Sequence, residues 1–353
     1  MKLPDCKFYL FGMGNRRKIL YKQGMFLDAL TGEKVRKWDL KSETIRASEY
    51  TVTLETLKRK KIVVREDEEA VWIEEDGDVA YLTKGHLKLP RFEGATYPPL
   101  LRVLHHEILI NIVDGKPVPN LFVYPKPWYR DGAMMCMCLE KTGNLHLVRD
   151  WILRLREPFD RNNAGDCEPD NLGQALYMIS LVSDASHPLV EAVLQTIPQF
   201  KKGKHIVGLT DHRERPVYQT KWLKFGLQRL GLDDPYKIPK VFDEYSALFW
   251  MDHKEAHVDG PPFDEKAKEL YPYLGWAEAH FHKWPPPMTY FEDQYPITWE
   301  AHASQANYEG MALISQEYVD RRICAPHAWH AAEMFLYFLD EQQTLSNGQG
   351  SII

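Results

Sequence analysis

The sequence predicts a mainly α protein in which a small antiparallel β domain precedes a toroid of helix hairpins. Over residues 1–95, short apolar runs alternate with close turns, which is typical of antiparallel strands. From about Tyr97 the apolar spacing becomes helical and remains so over residues 96–345. Consecutive antiparallel helix hairpins can close into a ring that carries its chemistry in the loops of one rim. Residues 346–353 are polar and are predicted to fray.

The β domain is predicted from runs such as Phe8–Phe11, Thr51–Glu55 and Ala70–Glu74, each bounded by turn residues. Asp76-Gly-Asp78 is the short connection expected of a hairpin. Gly12-Met-Gly14 lacks both a third glycine and a following helical pattern, so we interpret it as a turn and not as a phosphate-binding loop.

About ten helices are predicted after residue 96, joined mostly by short loops and without strands between them. The run Lys283–Pro287 is too rich in proline for a helix and is predicted to be an extended loop. The predicted helices cover Leu101–Ile112, Ala133–Leu139, Leu145–Leu155, Leu172–Val182, Pro188–Ile197, Val217–Leu230, Tyr245–Met251, Ala267–Phe281, Trp299–Ile314 and Ala325–Leu339.

Composition excludes several classes of protein. The chain has 353 residues and a net charge of −6, and its densest basic cluster, Lys58–Lys61, is too short to follow a nucleic-acid backbone. Five scattered cysteines favour reduced core thiols over a disulfide framework.

The chain shows neither a secretory-signal pattern at its start nor an apolar run of membrane-spanning length, so we expect a cytoplasmic protein without a membrane partner. The oligomeric state stays open, a homo-oligomer included.

The segment Tyr124–Met135 is the most informative stretch. It combines two prolines with Trp128, Tyr129, Arg130 and Asp131, directly before an apolar helical pattern. An Asp at a helix start gains from the helix dipole and can accept ligand hydroxyls, while the aromatic rings offer flat apolar faces to a sugar. The alternative is a helix cap with an ion pair under aromatic packing.

Acidic residues form two further candidate positions. Asp166, Glu168 and Asp170 crowd the end of the loop 160–171, where mutual repulsion could raise the pKa of one of them toward neutrality. The alternative is that Asp166 or Asp170 caps the following helix. Glu317 lies before the last predicted helix, where it could equally be a solvated acid that pairs with Arg321.

Other polar and aromatic residues are weaker candidates. Lys221 and Trp222 could reach a central cavity, as could His327 and Trp329. The aromatic stripe in Asp243–Trp250 has the spacing of a core helix. Two histidine pairs lack a third ligand, so neither a metal nor a cofactor is expected. These pairs are His253 with His257, and His280 with His282.

Two motifs resemble the six-hairpin (α/α)6 glycosidases, the glucoamylase and glycogen-debranching glucosidase group. Trp128-Tyr-Arg-Asp-Gly132 is similar to their Trp-x-Arg-Asp segment, and Cys324-Ala-Pro-His-Ala-Trp-His-Ala-Ala-Glu333 is similar to their Gln-Ala-Trp-Ser-x-Ala-Glu ending. The resemblance covers roughly residues 97–342 and implies an (α/α)6-type toroid. It also implies that Arg130 and Asp131 hold sugar hydroxyls, that Asp170 or Glu168 is the general acid, and that Glu317 is the general base.

The expected activity is inverting hydrolysis of a short oligosaccharide or glycoside. One carboxyl protonates the leaving oxygen while a carboxylate opposite activates water, with a gap of roughly 6.5–9.5 Å between them. Glu168 and Asp170 are too close in sequence to fill both roles. The first alternative is a uronate lyase on the same toroid, in which Tyr129, His327 and Arg130 would do the chemistry. The second is a carbohydrate-binding protein without catalysis.

Overall fold

The computed structural model describes residues 2–124, 126–241, 243, 265–271, 273–282, 284–285, 294–303 and 305–347. The predicted helix Tyr245–Met251 lies outside these residues, as do His253 and His257 and most of the predicted loop Lys283–Pro287. The aromatic stripe of Asp243–Trp250 is described only at Asp243, and the predicted tail only at its first two residues.

The N-terminal antiparallel β domain is confirmed. It consists of two meanders, each with its strands in chain order. The first contains β1 (Phe8–Phe11), β2 (Ile19–Lys22), β3 (Met25–Asp28) and β4 (Lys34–Lys37); the second contains β5 (Leu40–Arg46), β6 (Thr51–Thr56), β7 (Lys61–Glu66), β8 (Ala70–Glu75) and β9 (Asp78–Lys84). Asp76 and Gly77 both have positive φ, which is the geometry of a tight hairpin connection between β8 and β9.

Helices dominate the described residues from position 98 onward, and a 3-10 helix at Tyr308–Leu313 is among the shorter elements. Within the described ranges, no helix is both long enough and apolar enough to cross a bilayer. The helices are α1 (Pro98–Ile110), α2 (Tyr129–Thr142), α3 (Arg149–Leu153), α4 (Asp170–Ser180), α5 (Pro188–Thr196), α6 (Pro216–Arg229), α7 (Glu265–Leu270), α8 (Tyr273–His282), α9 (Gln316–Asp320) and α10 (Ala328–Asn347).

The prediction of a mainly α toroid is wrong. Helix accounts for only 37% of the protein and strand for 22%, and antiparallel hairpins of two-residue strands interrupt the helical part. Strands this short leave no periodic pattern in the sequence, so sequence analysis missed them. They are β10 (Ile112–Val113) with β11 (Lys116–Pro117), β12 (Lys201–Lys202) with β13 (His205–Ile206), β14 (Leu209–Thr210) with β15 (Arg213–Glu214), and β16 (Glu300–Ala301) with β17 (Ile323–Cys324).

The predicted helix Trp299–Ile314 is also wrong. The segment begins with irregular backbone, forms β16 and ends in a 3-10 helix. Its backbone is paired with a remote part of the chain, because β16 pairs with β17 and the amide of His302 donates to the carbonyl of Arg322 (2.9 Å). Hydrogen bonds to a distant element therefore override the local helical spacing.

The β and α parts share one core. The larger of two apolar clusters contains strand residues such as Phe11 and Val64 together with helix residues such as Leu104, Met134 and Phe335. Helices α4 and α6 pack most closely, at Gly173 and Gly226. Helices α2 and α4 meet at their N-terminal ends, where Arg130 contacts Asp170 at 3.2 Å, and the candidate site lies there.

Candidate functional site

The site begins at the start of α2. Trp128 precedes the helix and Tyr129, Arg130 and Asp131 form its first turn, so the helix begins four residues before Ala133, where the sequence pattern placed its start. The amide of Tyr129 donates to Asp160 Oδ2 (2.5 Å), and its hydroxyl donates to the carbonyl of Glu157 (2.8 Å). Tyr129 therefore anchors this turn to the loop 157–160.

Arg130 binds three carboxylates. Its guanidinium contacts Glu168 Oε2 at 2.6 Å, Asp211 Oδ2 at 2.9 Å and Asp170 Oδ2 at 3.2 Å. Arg130, Glu168 and Asp170 are buried, whereas the Asp211 side chain is 40% exposed. We call these four residues the Arg130 cluster. One guanidinium offers a single positive charge to three acids, so this arrangement favours retention of a proton on one of them.

Glu168 is an acid of this cluster that can keep a proton near neutral pH. Burial raises the pKa of Glu168 to about 7; the charge of Arg130 opposes this shift and the neighbouring Asp170 adds to it. Glu168 Oε1 also accepts from the amide of Asp211 at 2.8 Å. A carboxyl with a pKa near neutrality is suited to general acid catalysis.

Asp170 has a different environment. Besides Arg130, its carboxylate accepts from Thr210 Oγ1 (2.7 Å) and from Gln174 Nε2 (2.9 Å). Of the two acids predicted for the general-acid role, Asp170 is held by three donors and is suited to positioning Arg130. Glu168, whose pKa lies near neutrality, is the better candidate for the proton donor.

Asp131 has the features of a ligand-binding residue. It is buried, and its Oδ1 has no hydrogen-bond partner among the described residues. Burial raises the pKa of Asp131 to about 7, against the lowering effect of His327 and Arg130. The indole Nε1 of Trp128 is likewise buried without a partner in the described part of the chain. A buried acceptor and a buried donor left unpaired are costly unless a ligand or water satisfies them.

A second polar group, which we call the Glu300 cluster, consists of Tyr124, Glu300, Cys324 and His327. Glu300 Oε2 accepts from the Tyr124 hydroxyl at 2.7 Å and lies 3.2 Å from His327 Nε2. The Cys324 sulfur is 3.9 Å from the same oxygen. Burial raises the pKa of the Cys324 thiol. Burial alone would raise the pKa of Glu300, but His327 lowers it to about 2.

The two clusters are neighbours. Arg130 and Asp131 are consecutive, and the charge of Asp131 acts on both Cys324 and His327. Trp329, two residues after His327, lies with its ring 5.8 Å from the guanidinium of Arg130. The structure therefore brings together Trp128, Arg130, Asp131, Glu168, Asp170, His327 and Trp329, seven of the residues predicted from sequence.

Glu317 is not brought to this group. It lies in the first turn of α9 with a side chain that is 53% exposed, and it pairs with Arg321 at 2.9 Å. Its charge also acts on Cys6 near the N-terminus. The prediction that Glu317 faces the Arg130 cluster is corrected, because the short helix places it on the surface.

Trp222 and Lys221 lie on α6. Trp222 is fully buried, with its ring centroid 5.8 Å from that of Tyr177 and 6.3 Å from that of Phe225. This position makes Trp222 part of the core and removes it from the candidate ligand contacts. Lys221 is 4% exposed.

Sequence analysis missed Asp211, Glu300 and Cys324. Asp211 lies in the β14–β15 turn, which has no strong sequence signal. Glu300 was hidden inside a segment interpreted as helix. Cys324 and His327 form a Cys-x-x-His spacing, and this signal could have linked the two residues.

Comparisons of this chain with protein-family models, curated proteins and solved structures found no match.

Proposed function

We propose that this protein is a cytoplasmic glycoside hydrolase. It uses two of its own carboxyl groups to hydrolyse a short oligosaccharide or glycoside. The supporting residues are Glu168, Asp131 and the aromatic side chains beside them. This proposal keeps the reaction predicted from the sequence but replaces its residue assignments, and it does not depend on a helical toroid.

The observation that carries the proposal is the pair of unsatisfied polar atoms at the start of α2. Asp131 Oδ1 can accept and Trp128 Nε1 can donate, and neither has a partner among the residues that the structure describes. A sugar hydroxyl both donates and accepts, so neighbouring hydroxyls could satisfy both atoms. Trp128 directly precedes α2, and the Trp329 ring lies 5.8 Å from the guanidinium of Arg130. These two rings supply apolar surface of the kind on which sugars stack.

In the proposed reaction, Glu168 donates its proton to the leaving glycosidic oxygen. Asp131 in its ionised form accepts a proton from the attacking water. Glu168 is bound to the Arg130 side chain, whereas Asp131 is the next residue on the helix and therefore points about 100° away around its axis. Carboxyl groups on different sides of one arginine suit the wide separation of an inverting mechanism. Asp170 and Asp211 hold Arg130 in position.

The test is a screen of aryl glycosides, followed by NMR detection of the anomer first released. We expect Glu168→Gln to lower turnover by roughly 10²–10⁴-fold, the usual contribution of a general acid, while sugar binding persists. Turnover of the unmodified protein should be highest near pH 7, because Glu168 loses its proton above about pH 7 and Asp131 gains one below about pH 7. Glu191→Gln, at an exposed position on α5, is the matched control.

Two outcomes would contradict the proposal. If Glu168→Gln and Glu191→Gln hydrolyse substrate equally, the Arg130 cluster is a structural ion-pair network. If a uronate substrate instead yields a product absorbing in the ultraviolet, the chemistry is elimination. The contacts of Tyr129 with Glu157 and of Arg130 with three acids leave the lyase alternative without specific support.

A further inference from the structure

We propose that Glu300, Cys324 and His327 form a binding site for a divalent metal ion of the zinc class. The site lies beside the Arg130 cluster but does not depend on the substrate being a sugar. It would replace the expectation from sequence that the protein holds no metal.

The backbone brings the three ligands together. Glu300 on β16 and Cys324 on β17 are register partners in an antiparallel pair, and such partners have Cβ atoms about 4.5–5.5 Å apart. His327 follows Cys324 by three residues and directly precedes α10. A Cys-x-x-His spacing with a carboxylate from the facing strand supplies three donors from one antiparallel strand pair and the residues directly after it.

The distances fit a tetrahedral ion after small movements. Zinc bonds of about 2.0–2.1 Å to nitrogen, 2.0–2.2 Å to oxygen and 2.3 Å to sulfur place the ligand atoms roughly 3.3–3.6 Å apart. The observed separations from Glu300 Oε2 are 3.2 Å to His327 Nε2 and 3.9 Å to Cys324 Sγ. All three ligand atoms lie within 4.8 Å of one another.

The surroundings supply a second, independent observation. Asp131 is 3% exposed, and its Oδ1 lacks a hydrogen-bond partner in the described part of the chain. Asp131 interacts electrostatically with Cys324, His327 and Glu300, which supports a position near the proposed ligands. A fourth coordination position occupied by water would give Asp131 Oδ1 a donor.

The donor set selects the metal. Thiolate and imidazole favour zinc over magnesium or calcium, which take oxygen ligands. On binding, the thiol proton of Cys324 and the proton on His327 Nε2 pass to solvent. Tyr124 keeps its hydrogen bond to Glu300 and orients the carboxylate, as residues around metal ligands commonly do. Three protein ligands with one open position are typical of catalytic zinc sites.

The experiment measures the metal bound to the 353-residue protein. We expect one equivalent of zinc to remain after loading with zinc and dialysis against metal-free buffer. Replacement of zinc by Co²⁺ should produce the near-ultraviolet absorption of a cobalt–thiolate bond. Cys324→Ser should abolish this absorption, and both Cys324→Ser and His327→Gln should weaken zinc binding at least tenfold. Cys136→Ser, at an equally buried thiol on α2, is the matched control and should keep both signals.

Measurements on the unmodified protein are sufficient to overturn the inference. If it retains no zinc and its cobalt form lacks thiolate absorption, then Glu300, Cys324 and His327 form only an ion pair beside a buried thiol. Equal cobalt–thiolate absorption in Cys324→Ser and Cys136→Ser would also refute it. No sugar enters these measurements, so their failure leaves the hydrolase proposal standing, and loss of hydrolase activity in Glu168→Gln does not affect them.

Discussion

The surroundings of each carboxyl group separate the roles of acids that look alike in the sequence. Both Asp170 and Glu168 contact Arg130. Asp170 also accepts from Thr210 and Gln174, whereas burial raises the pKa of Glu168 to about 7. Glu317 has neither environment, because it pairs with Arg321 on an exposed turn. The resemblance to the six-hairpin glycosidases implied Asp170 or Glu168 as general acid and Glu317 as general base; the local contacts favour Glu168 and Asp131.

Glu317→Gln tests this reassignment. Because Glu317 lies on the surface, we expect hydrolysis to stay within twofold of the unmodified protein. Only the (i, i+4) pair with Arg321 is lost, which costs about 0.3–0.5 kcal/mol at an exposed helix. Steady-state kinetics on the glycoside found in the screen, together with urea denaturation, checks both values. A fall in turnover as large as that of Glu168→Gln would restore Glu317 as a catalytic group.

At the scale of elements, the site depends on how closely α4 and α6 approach. A Cβ placed on Gly173 would lie 2.1 Å from the backbone carbon of Trp222, and one on Gly226 would lie 2.6 Å from the carbonyl oxygen of Gly173. Only glycine fits such contacts, since the facing atoms belong to the backbone and cannot rotate away. The same helix α4 carries Asp170 and Gln174, so its position determines the geometry around Arg130.

Gly173→Ala should therefore impair both stability and activity. Overpacking of this kind costs about 1–3 kcal/mol of unfolding free energy. A displaced α4 would also shift Asp170 away from Arg130 and so lower turnover. Thermal or urea unfolding and glycoside kinetics measure the two effects.

Gly85→Ala is the control, because the nearest atom to its added Cβ is the Arg16 side chain at 3.2 Å. Equal stability of the two variants would show that α4 and α6 can separate without cost.

Across the whole molecule, burial shifts the pKa values of several ionisable side chains, so that the stability of the fold depends on pH. Burial raises the pKa of Glu107 to about 8, although it accepts hydrogen bonds from Ile297 and Thr298. Burial also lowers the pKa of His105 and His106 to about 3, so both stay neutral near pH 7. Glu107 connects α1 to the segment that leads into Glu300, and its protonation state therefore affects the fold and the site together.

Stability should fall with rising pH because of Glu107. The folded protein holds this proton up to about pH 8, whereas the unfolded chain releases it near pH 4.3, so the stabilisation present at low pH is lost as the pH passes through 8. Between pH 6.5 and 8 the loss from Glu107 is roughly 1.5 kcal/mol. Glu107→Gln should remove that part of the slope in urea unfolding, while the histidine contributions stay the same in both proteins.

An exposed control, Glu191→Gln, should keep the slope of the unmodified protein. Identical slopes for Glu107→Gln and the unmodified chain would show that Glu107 is ionised in the folded protein across this range.

Local patterns determined much of this protein. The short strands of residues 8–84, the hairpin at Asp76-Gly77 and helices such as α1, α4 and α6 follow from apolar spacing and turn residues, because those signals act over a few neighbouring positions. The segment from Trp128 to Asp131 and the acids of the loop 160–171 were also recognisable, since charged and aromatic residues before apolar helices are conspicuous.

Tertiary structure decided the rest. Pairing of Glu300 and Ala301 with the distant Cys324 and Ile323 gives part of an apparently helical segment a strand conformation. Asp211, Glu300 and Cys324 joined the site only because chain segments remote in sequence meet there. Spacing in the sequence identifies the side chains that lie on one face of a helix. The burial and the hydrogen-bond partners of an ionisable group determine its charge, and both depend on contacts between distant segments.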